Sequence, residues 1–248
     1  MSGIKKKNLS QFSLFILFLI ALPVLAFHPA PVAAPGSTLI EPIDPAHPVV
    51  NKLTAKEIYE EFGEALADLS ENVFEYALNG YEKLKERGSL SNECILTIID
   101  FSKPSNEERL YVLDMSSYEV VYKSLVAHGR NSGKIYARQF SNKLGSHMSS
   151  IGFYVTGETY FGEHGYALRL DGLERGFNDN ARRRAIVIHS SDYVNSDFIS
   201  RQGYLGRSFG CPALPKKISK SVISTIKEGS CLFIYAPQKD YLQKSKLL

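Results

Sequence analysis

The chain has 248 residues, 44% of them hydrophobic, with 29 Lys and Arg against 26 Asp and Glu and a formal charge of +3. Once an N-terminal leader is set aside, about 215 residues remain, enough for one large domain and too few for two. So balanced a charge, part of it carried by Lys5, Lys6 and Lys7, argues against nucleic acid as a partner, and the one dense basic run, Arg182-Arg183-Arg184, reads as a solvated strand entry, with a phosphate or anion site as the alternative.

Lys5 to Lys7 precede an apolar stretch from Leu9 to Ala26, the form of an export signal. The stretch is short for a membrane span, which takes about 20 residues. Val24-Leu25-Ala26 and Val32-Ala33-Ala34 both suit a signal peptidase. Residues 1–26 are therefore expected to be a signal peptide, or an anchor if uncleaved, and membrane contact is expected there alone. The protein is then exported, to the periplasm or cell envelope. Residues 27–50 hold six of the eleven prolines and read as an extended linker. Three cysteines are an odd number for an oxidising compartment, so at least one thiol stays free. Cys94 and Cys231 each open an apolar run and are expected in the core. If two cysteines pair, these are the two, which leaves Cys211 able to react.

Thr54-Ala55-Lys56-Glu57 has the capping-box form and predicts a helix start. Ile58, Phe62, Ala65, Leu66, Leu69, Val73, Tyr76 and Ala77 then recur at three- and four-residue steps. Asn79-Gly80 is expected to interrupt this helix, and Gly88 to end its continuation. Residues 51–92 thus form a helical segment packed on a domain spanning 93–248. From Cys94 the pattern changes to short strands: 95–101, 110–114, 119–126, 153–156, 167–170, 184–189 and 231–235. Lys217 to Lys227, with Ile218, Val222, Ile223 and Ile226 on one face, is the later helix. The sum is a mainly β (α+β) domain, mostly antiparallel, with a covering helix at its N-terminal side.

The chemistry concentrates at Arg207-Ser208-Phe209-Gly210-Cys211-Pro212-Ala213. A small polar residue and a glycine directly before a cysteine present a thiol on a tight turn. The N–H groups of Gly210 and Cys211 are candidates for an oxyanion hole. An ordinary thiol ionises near pH 8.5, so a working nucleophile needs a base or a local positive potential. His189, ending the apolar run Ile186-Val187-Ile188, is that base candidate, where a strand delivers it to a loop. A carbonyl or hydroxyl at Ser190 or Ser191 is placed to orient its ring. His128 with Gly129 are candidates for a substrate groove, or a turn after a strand. Arg207 is a candidate for a substrate carboxylate, or a structural ion pair. Residues 129–134 fail as a phosphate loop, because Ile135 stands where Ser or Thr is required. Six scattered histidines and no Cys-x-x-Cys supply no metal frame, and no cofactor is expected.

Ile186-Val187-Ile188-His189-Ser190, followed by Gly206 to Ala213, resembles the L,D-transpeptidase (YkuD-type) catalytic domain, in its murein L,D-transpeptidase branch. The resemblance runs from about residue 52 to 236. It includes Val126-Ala127-His128-Gly129, Ser149 to Tyr154, Gly165 to Leu173 and Phe177 to Ala181. It implies an L,D-transpeptidase-type β-sandwich and a cysteine acyltransferase whose partners are peptidoglycan stem peptides, donor and acceptor. Cys211 would attack the carbonyl of the third stem residue, usually meso-diaminopimelate, and release D-alanine. His189 matches the family's base, Ser190 its support, and Ser208, Gly210 and Cys211 the nucleophile turn. The better-known branch carries histidine where this chain has Phe209, polar residues where it has Pro212-Ala213-Leu214, and a shorter His-to-Cys spacing. A hydrolase or amidase that resolves the thioester with water, and a catalytically silent wall-binding module, are the alternative readings.

Overall fold

The capping box at Thr54 opens the first helix of the computed structural model, which describes residues 53–163 and 165–248. The expected signal (1–26) and linker (27–50) lie outside the described residues. Thr54 Oγ1 accepts from the Glu57 N–H at 3.2 Å, and the Glu57 carboxylate accepts from the Thr54 N–H at 2.7 Å. Helix α1 (Ala55–Glu61) is short. A 3₁₀ turn at Gly63–Leu66 comes next, and α2 (Glu71–Glu86) starts afresh after Ser70. The apolar period is therefore shared between two helices rather than running through one.

Contrary to the expectation at Asn79-Gly80, α2 continues unbroken across that pair. Gly80 marks a close approach: a Cβ there would sit 2.0 Å from the Phe153 ring. The missing side chain lets helix and sheet touch, a packing use of glycine rather than a breaking one. A second tie joins this segment to the sheet. Asp68 accepts from Lys103 at 2.7 Å, Lys123 at 2.6 Å and the Tyr111 hydroxyl at 2.9 Å.

Eight strands form one sheet: β1 (Ile95–Asp100), β2 (Leu110–Asp114), β3 (Glu119–Ser124), β4 (Gly152–Gly162), β5 (Gly165–Gly172), β6 (Val187–Ser191), β7 (Ala213–Pro215) and β8 (Cys231–Tyr235). Their order is β3-β2-β1-β8-β4-β5-β6-β7. Most neighbours are antiparallel, as the short alternating runs suggested, but β1 with β8 and β6 with β7 run parallel. The sheet curls until its edges nearly meet. Ala127, just beyond β3, exchanges both backbone hydrogen bonds with Ala213 of β7. This curl brings the turn before β7 against the chain after β3.

Strands β1 and β8 are buried along their whole length, which explains their unbroken apolar runs. Phe153 and Phe233 stack at 4.2 Å between ring centres, beneath α2. Burying such a side chain contributes about 1.5–3 kcal/mol. Three more helices complete the chain: α3 (Ser196–Gln202), α4 (Lys216–Ile226) and α5 (Lys239–Lys244). Helices and strands consequently take similar shares of the described residues, because the short α3 and α5 add to the two segments legible from periodicity. No described helix is long and apolar enough to cross a membrane.

Cys94 and Cys231, the two that would pair if any did, both carry free thiols. Cys94 lies exposed ahead of β1, whereas Cys231 is buried in β8, opposite Leu96. The core location expected for Cys94 therefore fails, because the strand starts only after it.

Candidate active site

Strand β6 and the turn leading into β7 meet at a cleft of about 440 Å³ whose walls include Cys211, His189, Arg184, Tyr193 and Phe209. Parallel pairing sets the register, with His189 opposite Ala213 and the His189 N–H directed to the Pro212 carbonyl at 3.4 Å. His189 on one strand and Cys211, two residues before the Ala213 it faces, thus share one opening.

The His189 ring is oriented by its neighbour. Nδ1 lies 2.9 Å from the Ser190 carbonyl oxygen. A carbonyl only accepts, so Nδ1 carries the proton and Nε2 the lone pair, the tautomer a base requires. Ser190 meets the ring through its backbone rather than its hydroxyl in this bond.

Cys211 Sγ sits in the cleft wall, where it accepts from the Val187 N–H at 3.4 Å and faces the Ala185 carbonyl at 3.6 Å. Burial pushes the thiol above its ordinary value, and the Val187 N–H and the Arg184 charge oppose that push.

Ser208 shapes the nucleophile turn. Its hydroxyl donates to the Cys211 carbonyl at 2.6 Å and accepts from the Gly210 N–H at 3.0 Å. This corrects the expectation for Gly210: its N–H is engaged within the turn and is not offered to a substrate oxyanion. Gly210 serves instead through conformation and space. Its φ is +129°, and a Cβ there would meet the Met148 carbonyl oxygen at 2.8 Å. Among the described residues the Cys211 N–H makes no backbone hydrogen bond to another residue and lies against its own thiol.

His128 and Gly129 do not line the cleft. His128 is fully buried; its Nδ1 accepts from Arg109 at 2.8 Å and its Nε2 lies 3.4 Å from the Gly133 carbonyl. Burial first, then the Arg109 charge, lower its pKa to about 3, so it stays neutral. Gly129 backs the nucleophile turn: it bridges to Ser208, and a Cβ there would meet the His147 carbonyl at 2.7 Å and the Gly210 Cα at 2.9 Å. Both residues support the site from behind. Arg207 does reach the cleft, but its guanidinium donates to the Gly133 carbonyl at 3.0 Å and packs over Tyr204.

Sequence reasoning missed Arg184. Arg182 of the same run is an ordinary surface partner of Asp171 and Glu158. Arg184, half-buried, turns into the cleft wall instead. Phe209 also gains a setting: 64% exposed at the rim, it rests against His147 at 4.7 Å and beneath the Arg130 guanidinium at 4.6 Å.

A family model described as the L,D-transpeptidase catalytic domain matches residues 65–235, well over half of the chain. The chain belongs to this family. Among solved structures it is similar to an L,D-transpeptidase from Mycobacterium smegmatis, at 15% identity and a TM-score of 0.36, over 58% of this chain and 59% of that one. An L,D-transpeptidase from Mycobacterium tuberculosis H37Rv matches at 12% identity and 0.37, over 58% of each chain. One from Xylanimonas cellulosilytica matches at 14% and 0.33, over 57% and 60%. The chain thus spans about three fifths of the length of these structures. No curated protein matches it. The family assignment rests on the domain match.

Proposed function

We propose that this protein is an exported cysteine acyltransferase of the cell envelope that acts on peptidoglycan stem peptides by L,D-transpeptidation. The observation that carries the reading is the shared cleft of Cys211 and His189, with the His189 Nδ1 proton held by the Ser190 carbonyl. His189 Nε2 takes the proton from Cys211 Sγ, and the thiolate attacks the carbonyl carbon of the third stem residue. The resulting oxyanion meets the Cys211 N–H, a contribution of about 3–4 kcal/mol for one well-placed donor. Collapse breaks the amide C–N bond. D-Alanine leaves with the proton returned by His189, and a thioester remains on Cys211. An amine of a second stem then attacks the thioester, giving up its proton to His189, and the thiol is regenerated.

Mass spectrometry of muropeptides after incubation with the purified protein tests this. The expected products are free D-alanine and dimers joined between third residues, with neither formed by Cys211→Ala. Tripeptides without dimers would make the enzyme a hydrolase that resolves the same thioester with water. No change with either protein would refute action on these stems.

A further inference from the structure

Arg184 is held entirely by neutral oxygens. Nη1 donates to the Ser141 carbonyl at 2.6 Å and to the Ser150 hydroxyl, and Nη2 to the Ser146 hydroxyl at 3.1 Å and the Met148 carbonyl at 2.7 Å. Among the described residues no carboxylate pairs with it. Arg182, two residues earlier, shows the usual outcome, with Asp171 and Glu158 on its guanidinium. A half-buried cation without a counter-ion is costly, and a protein tolerates it where an anion forms nearby.

The anion is close at hand. Arg184 lines the same cleft as Cys211, and its Nη2 lies 3.3 Å from the point a Cβ on Gly210 would occupy. The other ionisable groups facing Cys211 are His189 of β6, Tyr193 beyond it, Tyr160 of β4, Glu163 in the turn after that strand, and Arg207 ahead of the nucleophile turn. Arg207 is the second cation of that wall, and its guanidinium is directed at backbone carbonyls and Tyr204. Electrostatic attraction between Arg184 and Cys211 favours the charged form of each.

We infer that Arg184 is a positioning residue for the nucleophile, a fixed counter-charge that stabilises the Cys211 thiolate while anchoring the 141–150 loop behind its turn. The inference rests on Cys211 being the nucleophile, and not on the identity of the acyl donor.

The test is alkylation of the full chain by iodoacetamide across pH, with Cys211 and Cys94 peptides followed separately by mass spectrometry. The thiolate displaces iodide, so the rate tracks ionisation of each thiol. Arg184→Met is expected to raise the Cys211 midpoint by about one pH unit or more, the size of an opposite charge lost at close range. The exposed Cys94 profile should not move. Ser146→Ala removes a loop contact but no charge and should leave the Cys211 midpoint in place. If Arg184→Met does not fold, Arg184→Lys decides: a midpoint near that of the parent is expected. A Cys211 midpoint unmoved in folded Arg184→Met, or moved equally by Ser146→Ala, or raised by a full unit in Arg184→Lys, would overturn the inference. Muropeptide turnover has no part in this readout, so failure here and failure of the proposed substrate remain distinguishable.

Discussion

His128 and His189 look alike in the sequence: each comes after a short apolar run and precedes a small residue. The fold buries both but gives them different surroundings: His189, 4% exposed, is in the cleft lining, and His128, 0% exposed, is not. His189 opens onto the cleft, with Nδ1 on the Ser190 carbonyl and Nε2 carrying the lone pair. His128 is sealed behind the turn, its Nδ1 occupied by Arg109 and its ring edge-on to Phe101 at 5.9 Å. A histidine acts as a base only if its lone pair meets the reacting proton, and burial against an arginine removes that possibility. The partner of each ring separates the two: that of His189 is its own neighbour Ser190, whereas that of His128 is Arg109, 19 residues away and out of reach of the local sequence.

Replacing each histidine in turn breaks the comparison most sharply. His189→Ala should lower the rate of D-alanine release by about 10²–10⁴-fold, the usual weight of a general base, with the melting temperature little changed. His128→Ala should show the reverse pattern. It removes one of the acceptors of the buried Arg109 guanidinium, which keeps the Val126 and Lys103 carbonyls, at a cost of about 1–3 kcal/mol. For a chain of this size that lowers the melting temperature by about 2–4 °C per kcal/mol in calorimetry. Turnover per folded molecule should survive.

Gly129→Ala should affect both readouts, because its Cβ would press on the His147 carbonyl and on the Gly210 Cα. Overpacking of this kind costs about 1–3 kcal/mol, and the displaced turn should also slow Cys211 alkylation. A loss of stability with Cys211 reactivity unchanged would show that Gly129 does not position the turn.

A further effect is expected in pH dependence. His128 has its pKa lowered to about 3 from an ordinary value of 6.5. Between those values the unfolded chain binds a proton that the folded chain does not, so stability rises with pH across the window. The contribution of His128 is fully present above about pH 6.5 and declines as pH falls toward 3. Asp68, held at about 2 from 3.8 by Lys103, Lys123 and Tyr111 against the opposing effect of burial, adds its own loss only below pH 3.8. Denaturant titrations of His128→Gln should therefore show a flatter stability profile between about pH 6.5 and 4 than the parent. An identical slope would assign the acid sensitivity to other groups.

Much of the fold was legible because its signals are local. The Thr54 capping box, the unbroken apolar strands and the α4 stripe each depend on a few neighbouring residues. Helix α3 was also within reach: Asn195 caps it by accepting from the Phe198 N–H at 2.7 Å, and Gly203 ends it at a φ of +78°. It has no buried residue, so periodicity missed it. Gly80 was misread because its function depends on Phe153, a residue in another element. At the site, the turn that carries Cys211 and the strand-end His189 were singled out from local pattern, and they line one cleft. The sealing of His128 and the inward turn of Arg184 could not be read that way, since each depends on residues distant in sequence, and the capture of the Gly210 N–H by Ser208, though local, depends on which way one hydroxyl points.

In the proposed reaction an acyl group passes through Cys211 with His189 as base. The most direct measurement is an acid quench of the protein with a tetrapeptide stem during turnover, then peptide mass spectrometry. The predicted result is a tripeptide acyl adduct on the Cys211 peptide, labile to hydroxylamine as a thioester, much reduced in His189→Ala and undiminished per folded molecule in His128→Ala. Release of D-alanine by Cys211→Ala, or an adduct that His189→Ala forms as fast as the parent, would contradict it.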